Sequence, residues 1–233
     1  MPQYHIGIIP DGNRRWARAR GLSDQEGHEH GATILKNAIE WAVNKPEIKE
    51  ISVYVLSEEN FKRTKEELAW LNDVYIEGLQ DLRQRKIIRE QGITINMIST
   101  QPQKLTPELL QLFADMHGET KQYGNKLLNI LIGYTGKREI LRAAAHPLNR
   151  IKNLFFDLNE KDIERGLLVK TPCDFIIRSS FEEAERESKS GFLIWQSAYS
   201  EYYHINKHWG DVEMLDLEEA WAKFLHTRRM KGT

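Results

Sequence analysis

Residues 4–9, Tyr4-His5-Ile6-Gly7-Ile8-Ile9, run directly into Pro10-Asp11-Gly12-Asn13. A short β-rich run that stops at Pro and Gly reads as a strand opening into a loop. The arginines and Trp16 that follow read as the first turn of a helix. Outward from this unit the same alternation repeats. From Ala32 to Asn44 the apolar residues Leu35, Ala38, Ile39, Ala42 and Val43 fall at helical spacing, with Pro46 beyond them. Residues 50–56 read as a buried strand, and Thr64 with Glu67 forms a capping-box signature. That box opens a helix striped by Leu68, Leu71, Tyr75, Leu79 and Leu82. Residues 93–98 are strand-like, and Thr106-Pro107 has the N-cap and first-turn residues of another helix. Leu127–Ile132 as a strand, a helix near 137–146, Asp174–Ile177 as a strand and two C-terminal helices complete the order. Alternating strands and helices predict one α/β domain over residues 1–233, with a mostly parallel central sheet flanked by helices. In such sheets ligands sit at the carboxyl ends of the strands, where Asp11, Ser57, Gly133 and Arg178 fall.

Composition narrows the function. The 233 residues carry 33 Lys+Arg against 34 Asp+Glu, a net charge of −1, so no bulk field favours nucleic acid or an anionic membrane. Any anion site must be a local cluster. The single cysteine, Cys173, excludes an internal disulfide and a Cys-based zinc site, and it suits a reducing, cytoplasmic setting. No apolar run has the length of a bilayer span and no signal-peptide core is visible, so contact with lipid is expected only from the water side.

The chemistry-bearing residues each have a plain alternative. In Asp11-Gly12-Asn13-Arg14-Arg15-Trp16 a carboxylate leaves a strand, a glycine allows close backbone approach, and two arginines enter a helix. Helix-start amides and arginines bind phosphate. A carboxylate among them makes sense if a cation such as Mg²⁺ bridges it to phosphate oxygens. Taken alone, Asp-Gly-Asn is a common turn, and an N-cap beside solvated arginines is the default. Gly27-His28-Glu29-His30-Gly31 reads as a glycine-flanked loop with His28 toward a phosphate and His30 on the surface. Ser57-Glu58-Glu59-Asn60-Phe61-Lys62-Arg63 is by default a polar connection between strand and helix. Arg178, at the end of a strand, is a phosphate ligand or half of a salt bridge. The aromatic stretch Trp195–Tyr203 reads as a core-packed helix carrying Glu201. Gly133-Tyr-Thr-Gly136-Lys137 is too short for a Walker A loop, and neither a dinucleotide fingerprint nor a nucleophile elbow occurs.

Together these stretches resemble the cis-prenyltransferases, the undecaprenyl diphosphate synthase family, in the family's own order from His5 to the C-terminus. His5 to Ala17 is similar to its diphosphate-binding loop, followed by its Gly27-His28 segment. Residues 57–63 resemble its Ser-Ser-Glu-Asn-Trp-x-Arg motif. Asp174-Phe-Ile-Ile-Arg178 and Trp195-Gln196-Ser-Ala-Tyr-Ser-Glu201 resemble its Arg-bearing strand end and its Trp-Gln…Glu segment. The resemblance implies a Mg²⁺-dependent transfer of an allylic prenyl group onto isopentenyl diphosphate with a new cis double bond. It implies Asp11 as the metal-holding catalytic residue on the allylic diphosphate, positioned with Gly12, Asn13, Arg14, Arg15, Trp16, His28, Phe61 and Arg63. Asn60, with Ser57 and Glu59 nearby, would sit at the proton-removal step, and Glu58 would be among the substrate-binding residues. Arg178, Arg186 and Ser188 would grip the second diphosphate, with Glu201 as a further metal ligand. Arg229, in the tail Arg228-Arg229-Met230-Lys231, would reach the neighbour's site in a homodimer.

Departures from the pattern fall mainly on the second-substrate side. Between Arg178 and Trp195 the chain runs roughly four residues longer than the family's Gly-Glu-x-Arg-x-Ser-Asn stretch, Asp24 stands where many members have Arg, and Gly133-Tyr134-Thr135-Gly136 replaces Asn-Tyr-Gly-Gly. An alternative acceptor, such as a second allylic diphosphate joined in a non-head-to-tail manner, is therefore the next expectation. A non-catalytic subunit of a heteromeric prenyltransferase comes after it. An apolar tunnel between the sheet and the helices bearing Leu35, Ile39 and Val43 and Leu68 to Leu79 is expected to shield the prenyl chain. A lipid product further implies peripheral membrane contact.

Overall fold

Runs of Ile, Val and Leu that are apolar on both faces form strands buried on both faces, and here they build one parallel sheet. The computed structural model describes residues 3–146, 157–180 and 190–230, without the side chains of 228–230. Its strands are Tyr4–Pro10 (β1), Ile48–Ser57 (β2), Ile93–Ile98 (β3), Lys126–Tyr134 (β4), Phe175–Ser179 (β5) and Glu201–Ile205 (β6). They lie in the order β3-β4-β2-β1-β5-β6, and every neighbouring pair is parallel. The helices are Asn13–Arg18 (α1), Asp24–Val43 (α2), Lys65–Gln84 (α3), Lys86–Glu90 (α4), Pro107–Thr120 (α5), Gly136–Ala144 (α6), Glu160–Gly166 (α7) and Met214–Met230 (α8). The order reverses at β1: β2 and β4 extend to one side of it, β5 and β6 to the other. Such a switch point opens a crevice at the carboxyl ends of the strands.

The larger core joins Ile6, Ile8, Val53 and Ile130 of the sheet to Ile39 of α2, Leu79 of α3, Phe113 of α5 and Trp221 of α8. On the opposite face Tyr54, Leu131, Tyr134 and Ile176 pack with Val169, Cys173, Phe192 and Leu193. Cys173 is buried and its thiol is pushed up to about 12, chiefly by desolvation, so it is chemically inert.

Two expectations are corrected. The Gly27–Gly31 stretch is not a loop, because α2 begins at Asp24 behind a Ser23/Glu26 capping box. Its glycines are poor helix formers, yet they are required. A Cβ on Gly27 would lie 2.5 Å from the Asn13 carbonyl oxygen, and one on Gly31 would lie 2.3 Å from Asn13 Oδ1. They let α2 press against the loop that follows β1. Trp195–Tyr203 is not a helix either. Turns run to Tyr199, and Glu201 then opens β6, pairing with Phe175 of β5. Tyr202, Tyr203 and Ile205 are good strand residues, and the edge position they occupy overrides the helical reading. One C-terminal helix, α8, follows instead of two.

Candidate active site

The crevice at the switch point is a cavity of about 580 Å³. The register sets Ile9 beside Arg178 and Pro10 beside Ser179, so β1 and β5 deliver Asp11 and Arg178 to one point. Ser179 Oγ donates to the Asp11 carbonyl at 3.0 Å, and the Trp209 amide donates to it at 2.9 Å. Gly12 turns the chain with φ 102°, a left-handed conformation that favours glycine. A Cβ there would lie 2.9 Å from His208 Nδ1. Asp11 Oδ2 accepts from Arg178 Nη2 at 2.6 Å and Oδ1 from Arg15 Nη2 at 3.2 Å. Arg178 is 3% exposed at its side chain and also donates to Ser190 Oγ at 3.2 Å.

The opposite wall is cationic and under-satisfied. His28 and Arg63 line the cavity, and His28 Nε2, Arg63 Nη1 and Asn13 Oδ1 are buried without a hydrogen-bond partner among the described residues. Buried polar atoms are almost always paired, so three at one cavity mark the place of a polar ligand. Burial first, then repulsion from Arg63 and Arg14, pulls the His28 imidazole down to about 4. Arg63 is also held below its ordinary range, mainly by burial. Arg63 and Arg14 supply the charge on this wall and neutral His28 an uncharged hydrogen-bonding group, a set that suits a multiply charged anion.

Ser57 and Asn60 lie on the rim. Asn60 Oδ1 accepts from the Ser57 amide and hydroxyl, both at 3.0 Å, which fixes the flip of the amide and leaves its NH₂ as the group available to a ligand. Glu59 lines the cavity beside them. Asp11, Gly12, Asn13, Arg14, Arg15, His28, Ser57, Glu59, Asn60, Arg63 and Arg178 are therefore brought together.

Several expected residues fall elsewhere. Trp16 does not line the cavity. It is stacked on His30 with ring centroids 4.2 Å apart, lies under Arg20 at 4.7 Å, and donates to Asp211 Oδ1 at 3.0 Å. It braces α1 from outside the cavity lining, and His30 is its stacking partner rather than a plain surface residue. Glu58 turns outward into a bidentate pair with Arg138 of α6, at 2.8 and 2.5 Å. Phe61 packs toward Gly133, where a Cβ would lie 2.8 Å from its ring. Glu58 and Phe61 instead help to line a neighbouring groove of about 420 Å³, which Glu59 borders as well as the cavity. Glu201 lies three residues toward the amino end from His204, the neighbour of Arg178, a distance of about 10 Å along the strand. Parallel register thus separates the Glu201 and Asp11 carboxylates within one chain. Arg186 and Ser188 lie outside the described residues, as does the Arg229 side chain.

Ser190 was not among the expected site residues. Its φ of 47° is rare for a non-glycine residue, it lines the cavity, and its carbonyl accepts from Tyr54 Oη at 3.2 Å. Counting back from Trp195-Gln196, rather than forward from Arg178, would have singled it out. The far end of the cavity was foreseen more closely. Ala32, Leu35, Val55, Val74 and Tyr75 line both it and an apolar chamber of about 70 Å³ that continues between α2, α3 and the sheet. Leu35, Ile39, Tyr75 and Leu79 line that chamber, whereas Val43, Leu68 and Leu71 do not.

The donor set fits a divalent cation that arrives with phosphate. Among the described residues no three His, Cys, Asp or Glu side chains gather as a self-sufficient metal site. Asp11 offers hard carboxylate oxygens beside the arginines and the unsatisfied polar atoms. Mg²⁺ commonly takes one or two carboxylates and completes its shell from phosphate and water. No helix among the described residues is long and apolar enough to cross a membrane.

Known proteins resemble this chain in sequence and in fold. The family model described as putative undecaprenyl diphosphate synthase matches residues 9–232. The chain is 35% identical to a tritrans,polycis-undecaprenyl-diphosphate synthase (geranylgeranyl-diphosphate specific) of Picrophilus torridus, over 98% of this chain and 89% of that protein. It is 33% identical to an isoprenyl transferase of Thermotoga maritima, over 100% and 97% of the two. Lavandulyl diphosphate synthase from Lavandula x intermedia, solved with dimethylallyl diphosphate, superposes with a TM-score of 0.84 at 27% identity, covering 94% of each chain. With the switch-point cavity, its arginines and the apolar chamber behind them, the match places this chain in the undecaprenyl diphosphate synthase family of cis-prenyltransferases.

Proposed function

We propose that the chain transfers an allylic prenyl group from its diphosphate to isopentenyl diphosphate, with Mg²⁺ as cofactor. The observation that carries this reading is the union of two environments: a cationic cavity around Asp11 that runs into an apolar chamber between α2 and α3. A prenyl diphosphate is a molecule with those two halves. Arg14, Arg15, His28 and Arg63 would hold the allylic diphosphate, and Asp11 would hold the cation against it. When bound, Mg²⁺ supplies Lewis-acid stabilisation of the charge that develops on the departing diphosphate. The arginines add fixed positive charge to the same oxygens. Arg178 and Ser190 would orient the second diphosphate, and the Asn60 NH₂, fixed by Ser57, would donate to a phosphate oxygen near the acceptor. Burial of the prenyl chain in the apolar chamber supplies binding free energy of roughly 0.8 kcal/mol per CH₂. Glu201 is left out of this metal set. The enzyme is read as a cytoplasmic homodimer, meeting membranes only through its product, with Arg229 of each tail serving the partner's second-substrate side.

Incubating the purified chain with labelled isopentenyl diphosphate, an allylic diphosphate and Mg²⁺ tests the reading. Chain-extended, EDTA-sensitive products support it, and their absence across allylic primers of several lengths refutes it. The similarity to lavandulyl diphosphate synthase, with the lengthened stretch between Arg178 and Trp195, favours a second outcome. A non-head-to-tail product from dimethylallyl diphosphate alone would show that the acceptor is itself allylic.

A further inference from the structure

Position 24 holds an aspartate where many members of the family have an arginine. The exchange turns a positive charge into a negative one at the head of α2, beside a cavity that suits an anion. Asp24 Oδ2 lies 3.9 Å from Arg14 Nη1. Its charge also reaches His28 and Arg63, where it opposes the downward pull of burial on both. A bare carboxylate in this place would repel a diphosphate and cancel part of the cationic wall. The first turn of α2 suits an acid, yet helix stability returns no positive charge to the cavity.

Arg18 supplies that charge. The last residue of α1, it pairs side-on with Asp24: Nε donates to Oδ1 at 2.8 Å and Nη2 to Oδ2 at 2.7 Å. These bonds are the main cause that holds the Asp24 carboxyl below its ordinary range. The chain brings the two together by turning at Gly21, φ 69°, before Ser23 caps α2. A guanidinium carries five N–H groups in one rigid plane. Side-on pairing takes Nε and one N–H of Nη2, leaving Nη1 and the other N–H of Nη2 as a second fork. Such a fork matches two phosphate oxygens. Arg18 lines the cavity, and so does Arg14, one turn earlier on α1. As a stabilising ion pair Arg18–Asp24 is worth little, because the Arg18 side chain is 65% exposed. As a positioning device it has a use: a long, exposed arginine is fixed before a ligand arrives, so less rotamer freedom is lost on binding.

We infer that Arg18 is a further ligand of the allylic diphosphate, and that Asp24 is a positioning residue that holds it there, restoring through its partner the cation that position 24 lacks. This rests on the prenyl-transfer reading above, so binding and turnover are measured apart and the two can fail separately. In the binding arm, a non-hydrolysable allylic thiolodiphosphate is titrated calorimetrically, with Mg²⁺ present, into wild type, Arg18→Gln, Asp24→Asn and the double variant. Arg18→Gln should weaken binding about tenfold, the lower end for a charge-assisted contact at an exposed residue. Asp24→Asn should weaken it about threefold although it removes a negative charge, and the double variant should be no weaker than Arg18→Gln, since the two residues act as one unit. In the turnover arm, both single variants should raise KM for the allylic substrate and leave KM for isopentenyl diphosphate within about twofold of wild type. Affinity of Arg18→Gln within twofold of wild type would overturn the inference. So would undiminished or tighter binding in Asp24→Asn, the result expected if Asp24 only repels the ligand, or a double variant clearly weaker than Arg18→Gln. An equal rise in both KM values would overturn it too, as the mark of a general loosening of α1. A wild type that binds the thiolodiphosphate without turning substrates over counts against the reaction and leaves the binding arm to decide Arg18. One that does not bind it overturns both.

Discussion

Replacing Glu139 tests how the second-substrate wall is held, because this carboxylate is fully buried and saturated with donors. Its Oε1 accepts from the Leu168 amide at 2.7 Å and the Val169 amide at 3.2 Å. Oε2 accepts from Tyr134 Oη at 2.5 Å and Gln196 Nε2 at 3.1 Å. Four donors and complete burial make the site expensive to disturb. Glu139→Ala strands two backbone N–H groups that cannot reorient, at about 1–3 kcal/mol each. With the void left by the side chain, the loss should be about 4 kcal/mol, or roughly 10 °C in Tm for a chain of this size. Glu139→Gln should cost about a third as much. Its amide oxygen can keep both backbone donors, and the Tyr134 hydroxyl can turn to accept from the new NH₂. Gln196 Nε2 stays engaged by the Val169 carbonyl at 2.9 Å and loses its bond to position 139. Urea unfolding of the three proteins gives the ranking directly. The same loss should appear in function, because the Gly136 amide, at the start of the helix carrying Glu139, donates to the Gly191 carbonyl at 2.7 Å beside Ser190. KM for the second substrate should rise in Glu139→Gln more than kcat falls. A Glu139→Ala protein within 1 kcal/mol of wild type would refute the reasoning, since stranded donors at this site would then cost almost nothing.

Asp11→Asn keeps the acceptor geometry toward Arg178 but removes the charge a cation needs, so turnover should fall by about 10³-fold, equivalent to ~4 kcal/mol, in a protein that still melts cooperatively. Stability should fall with acid. His28 titrates near 4 in the fold against 6.5 unfolded, so the unfolded chain binds more protons between those values, and up to about 3 kcal/mol is lost as pH drops from 6.5 toward 4. Buried His5, also lowered by desolvation, acts in the same direction, and urea midpoints of His28→Gln should show a shallower pH slope than wild type. Trp16→Ala should cost about 3–5 kcal/mol in the same unfolding assay and weaken allylic diphosphate binding through the slackened α1 loop. Deleting residues 228–233 should raise KM for the second substrate and spare allylic diphosphate binding, as steady-state kinetics of a dimeric truncated protein would show.

Five of the six strands were legible because they are largely apolar runs ending at or beside Pro, Gly or Ser, signals that need no tertiary information. The Thr64 and Thr106 caps were equally local, and both bond the amides expected of them. What escaped depends on neighbours. Gly27 and Gly31 look like loop residues until Asn13 is placed against them, and Glu201 looks helical until β5 offers it an edge. Asp11, His28, Arg63 and Arg178 were picked out from their positions and motifs, and the cavity joins them. Trp16 and Glu58 were read as ligand contacts because motif membership does not say which way a side chain turns. Trp16 turns toward His30 and Asp211, and Glu58 toward Arg138.

The glycines that seat α2 against Asn13 also tie two lengths together. His28 faces the cationic cavity and Lys36 the chamber, eight positions apart on one unbroken helix, about 12 Å by its rise. The rod is clamped at its head by backbone contact and carries its distance marks in side chains. Sliding it by one residue would shift every mark by about 1.5 Å and turn each through roughly 100°, spoiling headgroup and tail contacts at once. A residue inserted or removed between His28 and Lys36 would therefore disturb both regions together, whereas a side-chain swap at Lys36 would touch the chamber alone.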